Sequence, residues 1–238
     1  MLSPEDIANE EMLYNACNSG VLSLTHRAID LGARNLSYGL FLACKKGNMS
    51  VVNALIDRGA TDWNNGYAGA CAGGHRILMN MMKKVGATDM DRGFIMACEY
   101  GSLNTIKYLA TESDVPLSSG LISACHRNNP AAISLLMQLG ATGIHFALIR
   151  SAIEGHLHNV STLMLLGNPT VDDMNRTLYF ACKFKRQDIV EYLVEIGANK
   201  CGCKKTISDH MISNMNSDHI INDRVIINSV TYDQAGVA

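Results

Sequence analysis

The chain lacks a strong charge of either sign. Its 20 basic and 22 acidic side chains leave a formal net charge of −2 over 238 residues. That excludes the concentrated basic footprint by which proteins grip nucleic acid or anionic membranes. Long hydrophobic runs are missing too, and nothing approaches the roughly 18 apolar residues that read as a membrane span. The opening residues, Met1-Leu2-Ser3-Pro4-Glu5-Asp6, do not have the basic-then-apolar order of a secretory signal. They read as a helix start, with Ser3 as N-cap, Pro4 at the first helical position and acids in the first turn. No strand pattern is evident, no glycine-rich phosphate loop follows one, and no serine stands in a nucleophile elbow. What remains is 47% hydrophobic and 18% charged residues, a composition that folds around a buried core.

The eight cysteines then organise the reading. Cys17, Cys44, Cys71, Cys98 and Cys125 are spaced 27 residues apart. One further step reaches Ala152, and Cys182 follows after a three-residue insertion. A fixed internal period of this size is the signature of a repeat array. Taking the cysteine as position 0, position −1 holds Ala16, Ala43, Ala70, Ala97, Ala124, Ser151 and Ala181. Position −4 holds Leu13, Leu40, Tyr67, Phe94, Leu121, Leu148 and Leu178. Position +3 is Gly20, Gly47, Gly74, Gly101 and Gly155, with Asn128 and Lys185 as exceptions. Position +15 is Gly32, Gly59, Gly86, Gly140, Gly167 and Gly197, with Ser113 as the exception.

Positions −8, −4, −1 and 0 share one face of a helix, which the glycine at +3 breaks. Positions +8 and +11 are apolar in a second helix, as in Val52 and Leu55 or Ile133 and Leu136. A left-handed stop at +15 ends it. Asn129-Pro130 supplies an N-cap and a first-turn proline in repeat five. Such a helix pair cannot bury its apolar face alone, so it must stack on its neighbours. The expected fold is all-α, an ankyrin-like solenoid of stacked helix-turn-helix repeats.

The family likeness rests on particular stretches. Ala43-Cys44-Lys45-Lys46-Gly47-Asn48 and Ala70-Cys71-Ala72-Gly73-Gly74-His75 resemble the Ala-Ala-x-x-Gly-His core of ankyrin repeats. Leu55-Ile56-Asp57-Arg58-Gly59-Ala60 and Leu193-Val194-Glu195-Ile196-Gly197-Ala198 resemble its Leu-Leu-x-x-Gly-Ala end. A standard ankyrin unit has about 33 residues. The residues missing here fall where its β-hairpin would sit, so Thr61–Gly66 is too short for a full projecting hairpin. Shortened repeats of this kind are similar to those of ankyrin proteins from large cytoplasmic DNA viruses. The resemblance implies a viral protein that engages host factors in the host cytoplasm. The repeats run approximately over 3–33, 34–60, 61–87, 88–114, 115–141, 142–170 and 171–200. A polar tail, 201–238, follows, in which Ile207, Met211, Ile212 and Met215 fit one capping helix.

Catalytic and metal readings fare poorly on this sequence. Equivalent helices of adjacent repeats lie about 8–10 Å apart, whereas a disulfide needs Cα atoms within about 7 Å. The cysteine column therefore reads as buried free thiols in a reducing compartment. Cys201 and Cys203 with His210 and His219 are zinc ligand types at unsuitable spacing, so neither metal nor cofactor is expected. Trp63 reads as packing at a repeat junction, and Met79, Met81 and Met82 as core filling. Asp89 and Asp91 lie in a turn with no pocket implied. The basic concentration at Lys183, Lys185, Arg186, Lys200, Lys204 and Lys205 reads as a solvated face.

Function should lie where the repeats vary. Positions −6, −2, +1 and +2 form one stripe on the first helices, opposite the core. Its members are Tyr38, Leu42, Lys45 and Lys46 in repeat two and Arg92, Met96, Glu99 and Tyr100 in repeat four. Repeat six adds Phe146, Arg150 and Glu154, and repeat seven Arg176, Phe180, Lys183 and Phe184. In repeat three the stripe is Asn65, Gly69, Ala72 and Gly73, which should leave a dent. Aromatics, Met and Arg are enriched at interface centres. The expectation is a monomeric, non-catalytic module that binds a protein partner through this concave surface, with no nucleic acid and no membrane. A structural or virion-associated scaffold is the alternative.

Overall fold

The computed structural model describes residues 3–199. Among them are fourteen α-helices and no strand. They pair as successive hairpins: α1 (Pro4–Ser19) with α2 (Leu22–Asp30), α3 (Leu36–Lys46) with α4 (Met49–Asp57), and α5 (Trp63–Gly73) with α6 (Arg76–Val85). Next come α7 (Met90–Tyr100) with α8 (Leu103–Glu112) and α9 (Leu117–His126) with α10 (Pro130–Gln138). The last two are α11 (Ile144–Glu154) with α12 (Leu157–Gly167) and α13 (Val171–Lys183) with α14 (Gln187–Glu195). The hairpins fall into two compact units, one ending at Gly143 and the other beginning at Ile144.

In the first unit the first helices pack in sequence order, α1 on α3, α3 on α5, α5 on α7 and α7 on α9. Second helices join in where α2 meets α4 and α8 meets α10. In the second unit α11 packs on α13 and α12 on α14. Leu13, Leu40, Tyr67, Phe94 and Leu121 at −4 are fully buried, as are the alanines and cysteines beside them. Small residues at −1 and 0 keep the inter-helix gap narrow.

A further column of glycines, at position −5, makes the gap narrower still. A Cβ on Gly120 would lie 2.7 Å from the Phe94 ring and 2.8 Å from Cys98 Sγ. One on Gly93 would overlap the Tyr67 ring and come within 2.9 Å of Cys71 Sγ. Gly66 meets Leu40 at 3.2 Å, and Gly39 meets Cys17 Sγ at 3.3 Å. At Gly39, Gly93 and Gly120 the −4 and 0 side chains of the preceding hairpin thus fill the space of the missing side chain, and at Gly66 Leu40 does so together with Met82 of its own hairpin. In the second unit this column becomes Ala147 and Thr177, both buried.

The caps follow local chemistry. Ser3 and Asp6 form a capping box, and Asn129 caps α10 with Pro130 at its start. Gly20, Gly47, Gly74, Gly101 and Gly155 are left-handed, and so are the exceptions Asn128 (φ 55°) and Lys185 (φ 57°). The turn therefore dictates the backbone even where glycine is absent. Glycine also makes room for the next hairpin's +4 side chain: a Cβ at Gly47 would sit 2.6 Å from the His75 ring, and one at Gly101 2.6 Å from Asn129 Nδ2. Those +4 side chains satisfy carbonyls left open at the end of the preceding first helix. Asn48 Nδ2 donates to Cys17 O at 2.9 Å and Asn129 Nδ2 to Cys98 O at 3.2 Å. His75 Nε2 bonds Lys45 O at 3.1 Å. In the second unit Arg186 donates Nε and Nη2 to Ile153 O at 3.0 and 2.8 Å.

The short connections are pinned from position −7. Glu10 Oε1 accepts from the Arg34 and Asn35 amides at 2.7 and 3.1 Å, and Asn64 Oδ1 from those of Thr88 and Asp89 at 2.8 and 3.0 Å. The left-handed stop at +15 is not uniform. Ser113 is extended (φ −154°), and Gly167 stays helical while Asn168 takes the left-handed turn (φ 50°). A Cβ on Gly167 would meet Ile144 at 2.9 Å, so close packing accounts for that glycine.

Two substitutions separate propensity from packing. Leu121→Ala should cost about 2–5 kcal/mol by leaving a cavity. On helix propensity alone, Gly93→Ala should gain about 1 kcal/mol. The overlap with the buried Tyr67 ring reverses that sign. Both variants should lower the urea midpoint, and a stabilised Gly93→Ala would contradict the close approach of α7 to α5.

Candidate partner-binding surface

In the first unit the variable stripe holds an aromatic and cationic cluster built from four hairpins. Tyr38 is 44% exposed and meets Tyr14 edge-on at 4.8 Å between centroids. The Asn35 amide nitrogen, from the residue that caps α3, donates to Tyr14 OH at 3.0 Å. Lys45 Nζ lies 3.4 Å from the centroid of Tyr100, which is 39% exposed. The Arg127 guanidinium, from the next hairpin, lies 5.6 Å from the same ring, and its Nε donates to Glu99 Oε1 at 2.6 Å. Burial lowers the Lys45 pKa from its ordinary value, and the charges of Lys46 and Arg127 add to that, opposed by Glu99. Lys46 and Arg92 are exposed on the same stripe, while Leu42, Met96 and Glu99 are half-buried.

In repeat three the small residues of the stripe serve close packing of helices. Cβ atoms on Gly69 and Gly73 would overlap the backbone carbonyls of Phe41 and Lys45. Both glycines let α5 close onto the backbone of α3; Gly69 and Ala72 are buried there, and Gly73 is exposed. Lys45 in α3 and Tyr100 in α7 then meet across α5.

The second unit departs further from a uniformly outward stripe. Arg150 is only 4% exposed and pairs with Glu154 at 3.3 Å. Glu154, Phe146, Arg176 and Phe180 are half-buried. His145 packs on Phe146 at 3.9 Å, and Tyr179 meets Phe180 edge-on at 5.3 Å. Arg176 reaches Asp172 at 3.5 Å. The outward members are Phe184, 41% exposed, and Lys183, whose Nζ lies 5.9 Å from both the Phe180 and Phe184 rings.

Other candidate groups have structural duties. Asp89 caps α7, accepting from the Arg92 amide at 3.0 Å. Trp63 is half-buried beside Gly86. Met79 and Met82 are buried, but Met81 is only half-buried and does not fill the core. Arg186 is committed to Ile153 O and so does not belong to a merely solvated basic face, while Lys183 and Lys185 are exposed. Lys200, Lys204 and Lys205, the Cys201, Cys203, His210 and His219 set, and the capping helix expected in the tail lie outside the described residues. No group of three metal-ligating side chains and no helix long and apolar enough to cross a membrane occurs among the described residues.

Cys17, Cys44, Cys71, Cys98 and Cys125 are free and buried. Cys182 is disulfide-bonded, so the free-thiol environment belongs to the five and not to the whole column. A comparison with protein-family models finds no match, and neither does one with curated proteins.

Burial pushes the thiols of Cys17, Cys44, Cys71 and Cys98 up to about 12, from an ordinary value of 9.0. The folded state therefore keeps protons that the unfolded chain releases near pH 9. Their stabilising contribution is complete below that pH and is lost as pH rises towards 12. Melting temperature should fall as pH rises above about 9, and Cys98→Ala should fall less steeply than wild type over that range. The native thiols should react slowly with a disulfide reagent, and quickly once denatured. Equal slopes or fast native labelling would contradict their burial.

Proposed function

We propose that this chain is a non-catalytic protein-interaction module of the ankyrin-repeat type, which binds a protein partner through the variable surface of its first helices. The supporting observation is a contrast between columns. In hairpins two to five, positions −5, −4, −1 and 0 repeat and are buried, whereas across the hairpins −6, −2, +1 and +2 vary and include exposed Tyr38, Lys46, Arg92, Tyr100, Lys183 and Phe184. Uniform packing does not require aromatic and cationic residues there. They are the types that anchor interfaces. Successive helix hairpins joined by turns, with Ala-Cys at the equivalent place in six of the seven and Gly-His in two, support the ankyrin-like reading.

Tyr100 is held between Lys45 and Arg127, so its ring is pre-positioned and little rotamer entropy is lost on binding. Affinity capture from expressing cells, with protein identification, supplies the partner. Tyr38→Ala, Tyr100→Ala and Phe184→Ala should each then weaken binding by about 1–3 kcal/mol, roughly 5- to 150-fold. Melting should shift little, since an aromatic pair at the surface is worth only about 0.5–1.5 kcal/mol. Three folded variants that all bind like wild type would rule out the first-helix surface.

A further inference from the structure

Charge is spread unevenly over the first-helix stripe. In the second unit the stripe neutralises itself: Arg150 pairs with Glu154 at 3.3 Å and Arg176 with Asp172 at 3.5 Å. In the first unit cations gather at Tyr100. Lys45 Nζ lies 3.4 Å from the ring centroid and the Arg127 guanidinium 5.6 Å from it. Lys46 follows Lys45 in the last turn of α3. One carboxylate answers these three cations, that of Glu99, and its side chain is only 10% exposed and bonded to Arg127. Lys46 and Arg92 are exposed, and neither makes an ion pair among the described residues. The approach of Lys45 to Tyr100 is made across α5, where Gly69, Ala72 and Gly73 carry at most a methyl group.

Lys45 is therefore short of counter-charge. Burial lowers its pKa first, Lys46 and Arg127 lower it further, and Glu99 alone opposes them. A carboxylate arriving there relieves the repulsion. It also meets an ammonium that folding has already partly stripped of water, so less of the desolvation cost of an ion pair falls on the binding step. The Tyr100 ring fixes where that ammonium stands. Resting on the first-helix reading above, we infer that the partner presents an acidic peptide segment to the first unit, with one of its carboxylates seated at Lys45 and Lys46 beside Tyr100. Tyr38 and Tyr100 offer aromatic contact on the same stripe, and Arg92 adds charge of the same sign. A nucleic-acid strand suits the surface less well. It asks for a basic groove that follows its backbone, and the net charge of −2 and the paired cations of the second unit supply none.

The test is selection of random peptides of about 12 residues, roughly 40 Å when extended, against the full chain. Enriched peptides should combine Asp or Glu with apolar residues and should lose affinity as salt is added. Lys46 is exposed, so Lys46→Glu should fold, and a melting curve checks that it does. The peptides should bind it about tenfold more weakly, and Lys45→Gln several-fold more weakly. Exchanging the peptide's acid for lysine should restore binding to Lys46→Glu, a rescue that a merely structural role would not give. Lys84→Glu, which reverses an exposed cation on α6, should bind as wild type does. Peptides without acids that Tyr38→Ala and Tyr100→Ala still weaken would overturn the acidic partner and leave the first-helix reading standing. Acidic peptides indifferent to the lysine and tyrosine variants alike would overturn both. Failure to enrich any peptide, an equal loss in Lys84→Glu, or equal displacement by an oligodeoxynucleotide of matched charge would also overturn the proposal.

Discussion

The first helices of the first unit approach each other so closely that, along one line, a single methyl group does not fit. Gly93 against Tyr67 and Gly120 against Phe94 are the clearest cases. A glycine in a helix interior costs roughly 1 kcal/mol in propensity. Four successive hairpins carry one at the same place, from Gly39 to Gly120. At Gly39, Gly93 and Gly120 the return is that a −4 side chain and a cysteine from the preceding hairpin enter the space and are completely buried. Cysteine suits its position because it is small and, held protonated, behaves as a hydrophobe.

The rest of the first unit follows from that approach. Close helices bring each first-helix C-terminus within reach of the next hairpin, where Asn48, His75 and Asn129 take its open carbonyls. The same closeness demands glycine at the turn, because those side chains occupy the space where a Cβ would stand. At α5 two additional glycines carry the approach to its extreme. Lys45 and Tyr100 meet across α5.

The repeat unit was legible because packing imposes one residue type per column. The −4, −1, 0 and +3 positions announce themselves, and so do the caps at Ser3 and Asn129. The −5 glycines were equally periodic but lie beside the stronger −4 signal, and their purpose appears only when the neighbouring helix is in place. The +4 bonding column was hidden for a different reason: Asn, His and Arg do the same work with unlike side chains. Burial of Arg150 and half-burial of Phe146 and Phe180 were not legible either. A long side chain at a nominally outward position can fold back onto its own helix or a neighbour, as Arg150 does towards Glu154.

The most direct test of this account measures whether the glycine at −5 exists for its neighbours. Gly120→Ala should be made in wild type and in a Phe94→Leu, Cys98→Ala background, and the stability of all four proteins measured by urea unfolding. In wild type the added methyl should destabilise, since it would sit 2.7 Å from the Phe94 ring and 2.8 Å from Cys98 Sγ. With both obstacles cut back, it should become neutral or stabilising, as helix propensity alone dictates. An equal cost in the two backgrounds would show that the glycine answers to something other than the preceding hairpin, and the constraint on which the rest of the structure depends would be wrong.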